Sequence, residues 1–392
     1  MKQIKIVRII TRLNIGGPAQ HVLLLTRHMQ SESFETKLIT GSCEKDEGDM
    51  SYLAEELGVK PTMVSEMSRK INPFRDTLAF FKIYNILRME KPDIVHTHTA
   101  KAGTLGRLAS LFAVRAIRVH TFHGHSLEGY FNKAKSLFFS LIEKALSMFT
   151  DRIIVLNEDQ KTALSGRYRI ARPEKFSVIE LGLGLDRFLQ IGQNRYGRFR
   201  KENNIAENTV LVGIIGRLVE IKNHRMFLEA VHNIRSVARN KGYRFIIVGD
   251  GELQGSLVDY AKKLDIYDIV RFTGWLKDIY DVYEAVDIVS LTSVNEGTPV
   301  CLIQALASSK PVIATDVGGV RSVVTDGKNG YLVRPNDVVA FADRMLELAS
   351  DPEKRIRFGE FGREYVKDRF SDSRLVKDLE ALYLDLMAKK RN

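Results

Sequence analysis

Residues 210–248 read VLVGIIGRLVEIKNHRMFLEAVHNIRSVARNKGYRFIIV. The two ends, Val210–Ile215 and Arg244–Val248, are short β-rich runs and predict strands. His224–Ala238 between them has the longer pattern of a helix. A strand, a helix and a second strand in that order build a parallel sheet.

The alternation extends both ways. Downstream it predicts helices Leu253–Leu264, Ile279–Ala285 and Pro299–Ala307, with strands Ile269–Thr273, Ile288–Leu291 and Pro311–Ala314. Upstream it predicts strands Ile4–Ile10, Thr36–Thr40, Ile94–His96, Arg118–Phe122 and Ile153–Leu156. Helices His21–Met29, Asp76–Met89 and Thr104–Phe112 lie among them. The fold class is α/β, with two doubly wound parallel-sheet domains over residues 1–190 and 191–372. A Gly-rich and then polar stretch, residues 182–206, marks the boundary.

A chain of 392 residues is longer than one core comfortably serves, which fits two domains. Its 44% hydrophobic and 27% charged content is that of an ordinary globular protein. No apolar run reaches the ~18 residues of a membrane span. The start, MKQIKIVRIITRLNIGG, is too basic and interrupted for a secretory leader and reads as a strand running into a loop. Cys43 and Cys301 make no disulfide framework and lack metal-type spacing, so a reducing, cytoplasmic setting is expected. The net charge is +11, of which residues 1–190 carry +8 and residues 191–392 carry +3. A basic surface suits nucleic acid, an acidic membrane face or phosphorylated substrates, and composition does not choose among them.

Ligands of open parallel sheets sit beyond the carboxyl ends of the strands, so the loops there should carry the chemistry. The first is NIGGPAQH, where Gly16 and Gly17 open a helix and free its amides for an anion. It is not the GxGxxG of a nicotinamide or flavin site. Two later loops, VHTHTAKAG and VHTFHGHSLEGYF, hold His96, His98, His120, His123 and His125. No carboxylate of ligand-like spacing accompanies them, so no metal is expected. His96 and His120 read as packed structural histidines. His123, directly after its strand, is the candidate facing a reacting centre.

In the second half, GIIGRLVEIKN places Arg217 and Lys222 where a loop becomes a helix. A fork and a point charge there can hold a diphosphate without a metal. SVNEGTPVCLIQALA, residues 293–307, adds Glu296, Gly297, Thr298, Pro299 and Gln304. Pro299 suits the first helical position, and Gly297 and Thr298 leave amides at the positive end of the helix dipole. Glu296 is placed to accept from sugar hydroxyls. A buried Gln304 costs stability unless it meets a polar partner such as a ribose.

Taken together these stretches, with DRIIVLNEDQK, FIIVGDGELQ, VRFTGWLKDI and SSKPVIATDVGGV, resemble the retaining Glu-x7-Glu glycosyltransferases of GT-B architecture. The resemblance spans nearly the whole chain. It implies two Rossmann-like domains facing across a cleft, and a final helix, Ser373–Lys389, crossing back onto the first. It implies that Arg217 and Lys222 neutralise the donor diphosphate and that Glu296 contacts the transferred sugar. Gly297, Thr298 and Pro299 would meet the phosphate or sugar, and Gly16 and Gly17 would close over the diphosphate. His123 would sit beside the anomeric carbon, with Gly274 and Trp275 near the base. One position departs from the pattern: the family's second Glu, which grips the ribose, is Gln304, so weaker donor binding is expected.

The implied reaction carries a sugar from a nucleoside diphosphate, most commonly UDP, to an acceptor hydroxyl on a saccharide or lipid-diphosphate-linked saccharide. It needs no cofactor and no metal. A sugar-nucleotide epimerase or inverting transferase shares the architecture. A nucleic-acid binder would account for the basic charge, but no helix-turn-helix, zinc-finger or RNP-like signature is present. The segment FNKAKSLFFSLIEKALSMF, residues 131–149, groups Phe138, Leu141, Ile142, Ala145 and Phe149 on one face. It reads either as a helix resting on an anionic membrane, at the inner face of the cell membrane, or as one facing the core.

Overall fold

The computed structural model describes residues 3–44, 48–124, 133–191 and 197–391. The chain divides into two compact units, Met1–Leu183 with Ser371–Asn392, and Gly184–Phe370. In the first, seven parallel strands are β1 (Ile4–Ile10), β2 (Phe34–Thr40), β3 (Thr62–Met63), β4 (Ile94–His98), β5 (Ile117–Thr121), β6 (Arg152–Val155) and β7 (Phe176–Val178). Their order is β3-β2-β1-β4-β5-β6-β7.

Strand β1 shows why this sheet is interior. Ile6 faces a core that includes Leu25 and Met29 near one chain end and Leu375, Leu379 and Tyr383 near the other. Val7 and Ile9 face the opposite core, with Ala79, Ile83, Ala102 and Ala109. Both faces are covered, so apolar residues stand on both sides of the strand rather than alternating, with Lys5 and the buried Arg8 as its charged members. Helices Pro73–Glu90, Ala100–Ala113 and Lys133–Met148 form successive neighbours in the second layer. Arg107 and Glu143, both buried and 2.6 Å apart, tie the last two together.

The second unit has six parallel strands: β8 (Leu211–Ile215), β9 (Arg244–Val248), β10 (Val270–Gly274), β11 (Ile288–Leu291), β12 (Val312–Thr315) and β13 (Gly330–Val333). Their order is β10-β9-β8-β11-β12-β13. Each sheet reverses its winding once, between β1 and β4 and between β8 and β11, which opens a crevice at the strands' carboxyl ends. The expected class, two doubly wound parallel sheets, is the one found.

Two local expectations differ. The helix expected over His224–Ala238 is broken at Ile234 (φ −105, ψ 8) into His224–Asn233 and Arg235–Lys241, and there the His232 carbonyl accepts from Arg235 Nη1 and from the backbone N–H of Ile234. Pro299 is not the first helical residue. At φ −77 and ψ 98 it is extended, and the helix runs Val300–Ala307.

Candidate functional site

Lys222 closes a single turn, Glu220–Lys222, that follows β8. Asn223, at φ 47, then redirects the chain into the helix His224–Asn233. Thr292, just after β11, pins this corner by donating its hydroxyl to the carbonyls of Lys222 (3.1 Å) and Asn223 (2.9 Å). The two crevice strands thus hold one loop between them.

Glu296 lies on the loop after β11, and Lys222 Nζ reaches its Oε1 at 2.5 Å. Ser293 Oγ donates to the same oxygen at 2.6 Å. The backbone of Glu296 is fixed too: Gly319 N donates to its carbonyl at 3.0 Å. Gly318, at φ 50, lies so close that a Cβ there would stand 2.0 Å from that carbonyl oxygen, which requires glycine. One cation and one carboxylate from separate loops are therefore held at the start of the helix Val300–Ala307. The hydroxyl of Thr298, at the same start, is buried and has no partner among the described residues. Such an orphan is rare in a folded interior and is what a ligand contact would satisfy.

Arg217 stands apart from that pair. It is half-buried, and its guanidinium has no hydrogen-bond or ion-pair partner among the described residues. The Lys222 stem passes the adjoining Gly216, whose added Cβ would lie 4.0 Å from Lys222 Cε. Gln304 is buried, but Tyr283 Oη donates to its Oε1 at 3.2 Å, so its burial is explained without a ribose. The same hydroxyl lies 3.0 Å from the Cys301 carbonyl. Burial pushes the Cys301 thiol up to about 12, so it is no thiolate nucleophile. At the end of β10, Gly274 (φ 69) accepts from Gly249 N at 3.0 Å, and Trp275 beside it is half-exposed.

In the first unit Gly16 (φ 156) precedes a helix that starts at Gly17, with Pro18 in its first turn and no acidic residue there. The histidines separate as expected into two kinds. His96 is buried, with Nδ1 2.6 Å from Tyr383 Oη and Nε2 2.7 Å from Thr121 Oγ1. His120, also buried, meets Thr97 Oγ1 at 2.9 Å. Both are satisfied structural groups. His123 is more open, and its Nε2 lies 2.9 Å from His98 Nδ1. His125 lies outside the described residues.

Sequence reasoning missed His21, whose ring centre is 4.9 Å from that of His123 and 5.8 Å from that of His98. It enters from the helix Gly17–His28, about a hundred residues earlier, and no spacing rule links them. The three imidazoles lie close enough to share an ion. Burial lowers the pKa of His21 and His98 well below the usual value, which keeps them neutral. Yet no carboxylate among the described residues joins the group, and the charges felt at His21, those of His123, His96, Arg8 and Arg374, oppose a cation. Ser293 and Tyr283 were also missed, since each acts only by holding another side chain.

Residues 196–365 match the family of glycosyl transferases group 1, and residues 15–187 match glycosyltransferase family 4. The chain is similar to the Escherichia coli UDP-Gal:alpha-D-GlcNAc-diphosphoundecaprenol alpha-1,3-galactosyltransferase. The two are 29% identical over 364 residues, 92% of either protein. It is 30% identical over 307 residues to EpsD of Bacillus subtilis (strain 168), named as a glycosyltransferase, covering 76% of this chain and 79% of that protein. Among solved structures, Anabaena HepE in complex with UDP superposes with a TM-score of 0.80 at 20% identity, covering 97% of this chain and 100% of that one. That likeness shows the fold, GT-B.

Proposed function

From the premise that this chain belongs to the group 1 glycosyltransferases, we propose that it transfers a sugar from a UDP-sugar to a lipid-diphosphate-linked saccharide. The observation that carries the donor half is the Lys222–Glu296 pair beside the buried, unpartnered hydroxyl of Thr298. UDP as the nucleotide is supported by the names of the Escherichia coli relative and of the HepE complex, and the lipid diphosphate by the first of these.

In this reading the bond from the anomeric carbon to the diphosphate oxygen breaks while the acceptor oxygen bonds to the same face. The departing phosphate takes the acceptor's proton, and configuration is retained. Negative charge grows on the diphosphate, where Arg217, Lys222 and the backbone N–H groups of Gly297 and Thr298 stabilise it without a metal. Both bonds to Glu296 fall on Oε1, leaving Oε2 to a sugar hydroxyl. Gln304 meets the ribose, Gly274 and Trp275 the base, and Gly16 and Gly17 the diphosphate. His123, uncharged, accepts or donates a hydrogen bond to the sugar next to the reacting carbon. The proposed setting is cytoplasmic, at the inner membrane face, where the lipid-linked acceptor resides.

A thermal-shift panel of UDP-, GDP- and dTDP-sugars tests the donor, since a ligand held by the folded state alone raises the midpoint. Stabilisation by UDP-sugars above the others supports the reading, and no response to any of them overturns it. NMR of the product then fixes the anomeric configuration. An inverted product removes the retaining step, and rearrangement of the sugar nucleotide without an acceptor points to an epimerase.

A further inference from the structure

The helix Pro73–Glu90 carries an apolar stripe that is exposed among the described residues of its unit. Phe74, Leu78 and Phe81 follow one another at steps of four and three residues and so share one helical face, and Ile71 lies just ahead of the helix, before its cap Asn72. Ile71, Phe74, Leu78 and Phe81 are 70, 74, 40 and 55% exposed. Single exposed apolar side chains are ordinary, but four large ones together mark an interaction surface. The opposite face is normal core, with Ala79, Ile83 and Leu87 buried.

The frame of the stripe is basic. Residues 69–82 contain Arg69, Lys70, Arg75 and Lys82 against one acid, Asp76. Asp76 is already taken by Lys101 at 2.7 Å and Lys82 by Glu66 at 2.6 Å, while Lys70, 3.7 Å from Glu44, keeps its side chain 79% exposed. An apolar stripe bordered by cations is the pattern of a helix lying in the interface of an anionic bilayer.

Its place in the fold gives the surface a purpose. The helix begins at the carboxyl edge of the first sheet, and the Lys101–Asp76 bond joins that beginning to the start of the helix Ala100–Ala113, which follows β4 and its last residue His98. Two helices away, Leu137, Phe138 and Leu141 are also exposed, toward the same edge of the sheet, near the start of the helix Lys133–Met148. We propose that the stripe Ile71–Phe74–Leu78–Phe81 is a docking surface for an anionic phospholipid bilayer, holding the membrane beside the edge where His98 and His123 lie. This extends the lipid-linked acceptor proposed above.

The test is co-sedimentation of the full chain with vesicles of phosphatidylcholine alone or mixed with phosphatidylglycerol, beside UDP binding in solution. Wild type should bind only the mixed vesicles, and added salt should release it. Phe74→Ser with Phe81→Ser should weaken vesicle binding about tenfold or more, and Lys70→Gln with Arg75→Gln several-fold, with UDP binding unchanged. The idea is overturned if the Phe double variant sediments like wild type. It is equally overturned if only Leu137→Ser with Phe138→Ser abolishes binding, or if the stripe proves to bury a second copy of the chain in a dimer that ignores vesicles. Loss of UDP binding by wild type would sink the donor reading and leave the vesicle result standing by itself.

Discussion

Lys222 and Glu296, 74 residues apart in sequence, meet at 2.5 Å where the two crevice strands of the second sheet deliver their loops. The pair is partly buried, and Ser293 holds the same carboxylate oxygen. A lysine so restrained is already positioned before any phosphate arrives, so binding need not order a free side chain.

Lys222→Ala therefore removes charge at the diphosphate and frees Glu296 at once. Transfer should fall about 100- to 1,000-fold, the scale of losing one preorganised electrostatic contact. Unfolding should change little, because Ser293 still satisfies Glu296 and the ion pair is partly in solvent. Initial rates with the preferred sugar nucleotide, beside a denaturant melt, measure both. A rate within a factor of about two of wild type would remove Lys222 from the mechanism.

Gln304 gives a second, sharper comparison. Tyr283 Oη donates to its amide oxygen, and a carboxylate at the same position would accept that bond more strongly. Gln304→Glu should bind UDP more tightly and keep the fold. Tyr283→Phe, by contrast, deprives a buried amide of its partner and should cost about 1–3 kcal/mol of stability. Calorimetric UDP titration and urea unfolding separate the two effects. If Gln304→Glu weakens UDP binding, the residue is not at the ribose.

Much of this was readable from the chain, and the failures have physical causes. The strand runs Ile4–Ile10, Arg244–Val248 and Ile288–Leu291 were legible to the residue, because burial on both faces leaves them rich in Ile, Val, Leu and Phe. β13, Gly330–Val333, went unread, because its short run GYLV opens with a glycine and follows the turn at Gly327. The break at Ile234 lies in the backbone dihedrals of one residue, which no apolar period records. At the site, residue types pointed to Lys222 and Glu296 but not to their mutual bond. Ser293, Tyr283 and His21 stayed hidden because their partners are fixed by the tertiary fold.

The buried imidazoles set the acid limit of stability. An unfolded histidine titrates near 6.5, while burial lowers His21, His96, His98 and His120 well below that value in the folded chain. Above about pH 6.5 neither state binds these protons, and their contribution to stability is fully present. As pH falls below it, the unfolded chain takes up protons that the folded chain refuses, so stability declines. Urea midpoints should drop steadily from about pH 7 to about pH 5, with a loss on the order of several kcal/mol over that range. A midpoint that is flat or rises across it contradicts the buried neutral cluster.

Thr298 separates binding from folding most cleanly. Its hydroxyl is buried at the start of the helix Val300–Ala307 with no partner among the described residues, so the folded chain bears the desolvation of that oxygen without a compensating bond. Valine has nearly the same shape and lacks the oxygen. Thr298→Val should therefore leave stability unchanged or raise it by about 1 kcal/mol, the reverse of the usual effect of a buried substitution. If the hydroxyl is kept for the donor, the same variant should bind UDP-sugar about tenfold more weakly, the loss of one hydrogen bond to a charged or strongly polar group. Paired thermal melts and calorimetric titrations decide it. Stability gained with affinity intact would mean the oxygen serves no ligand, whereas stability lost would mean it has a partner inside the fold.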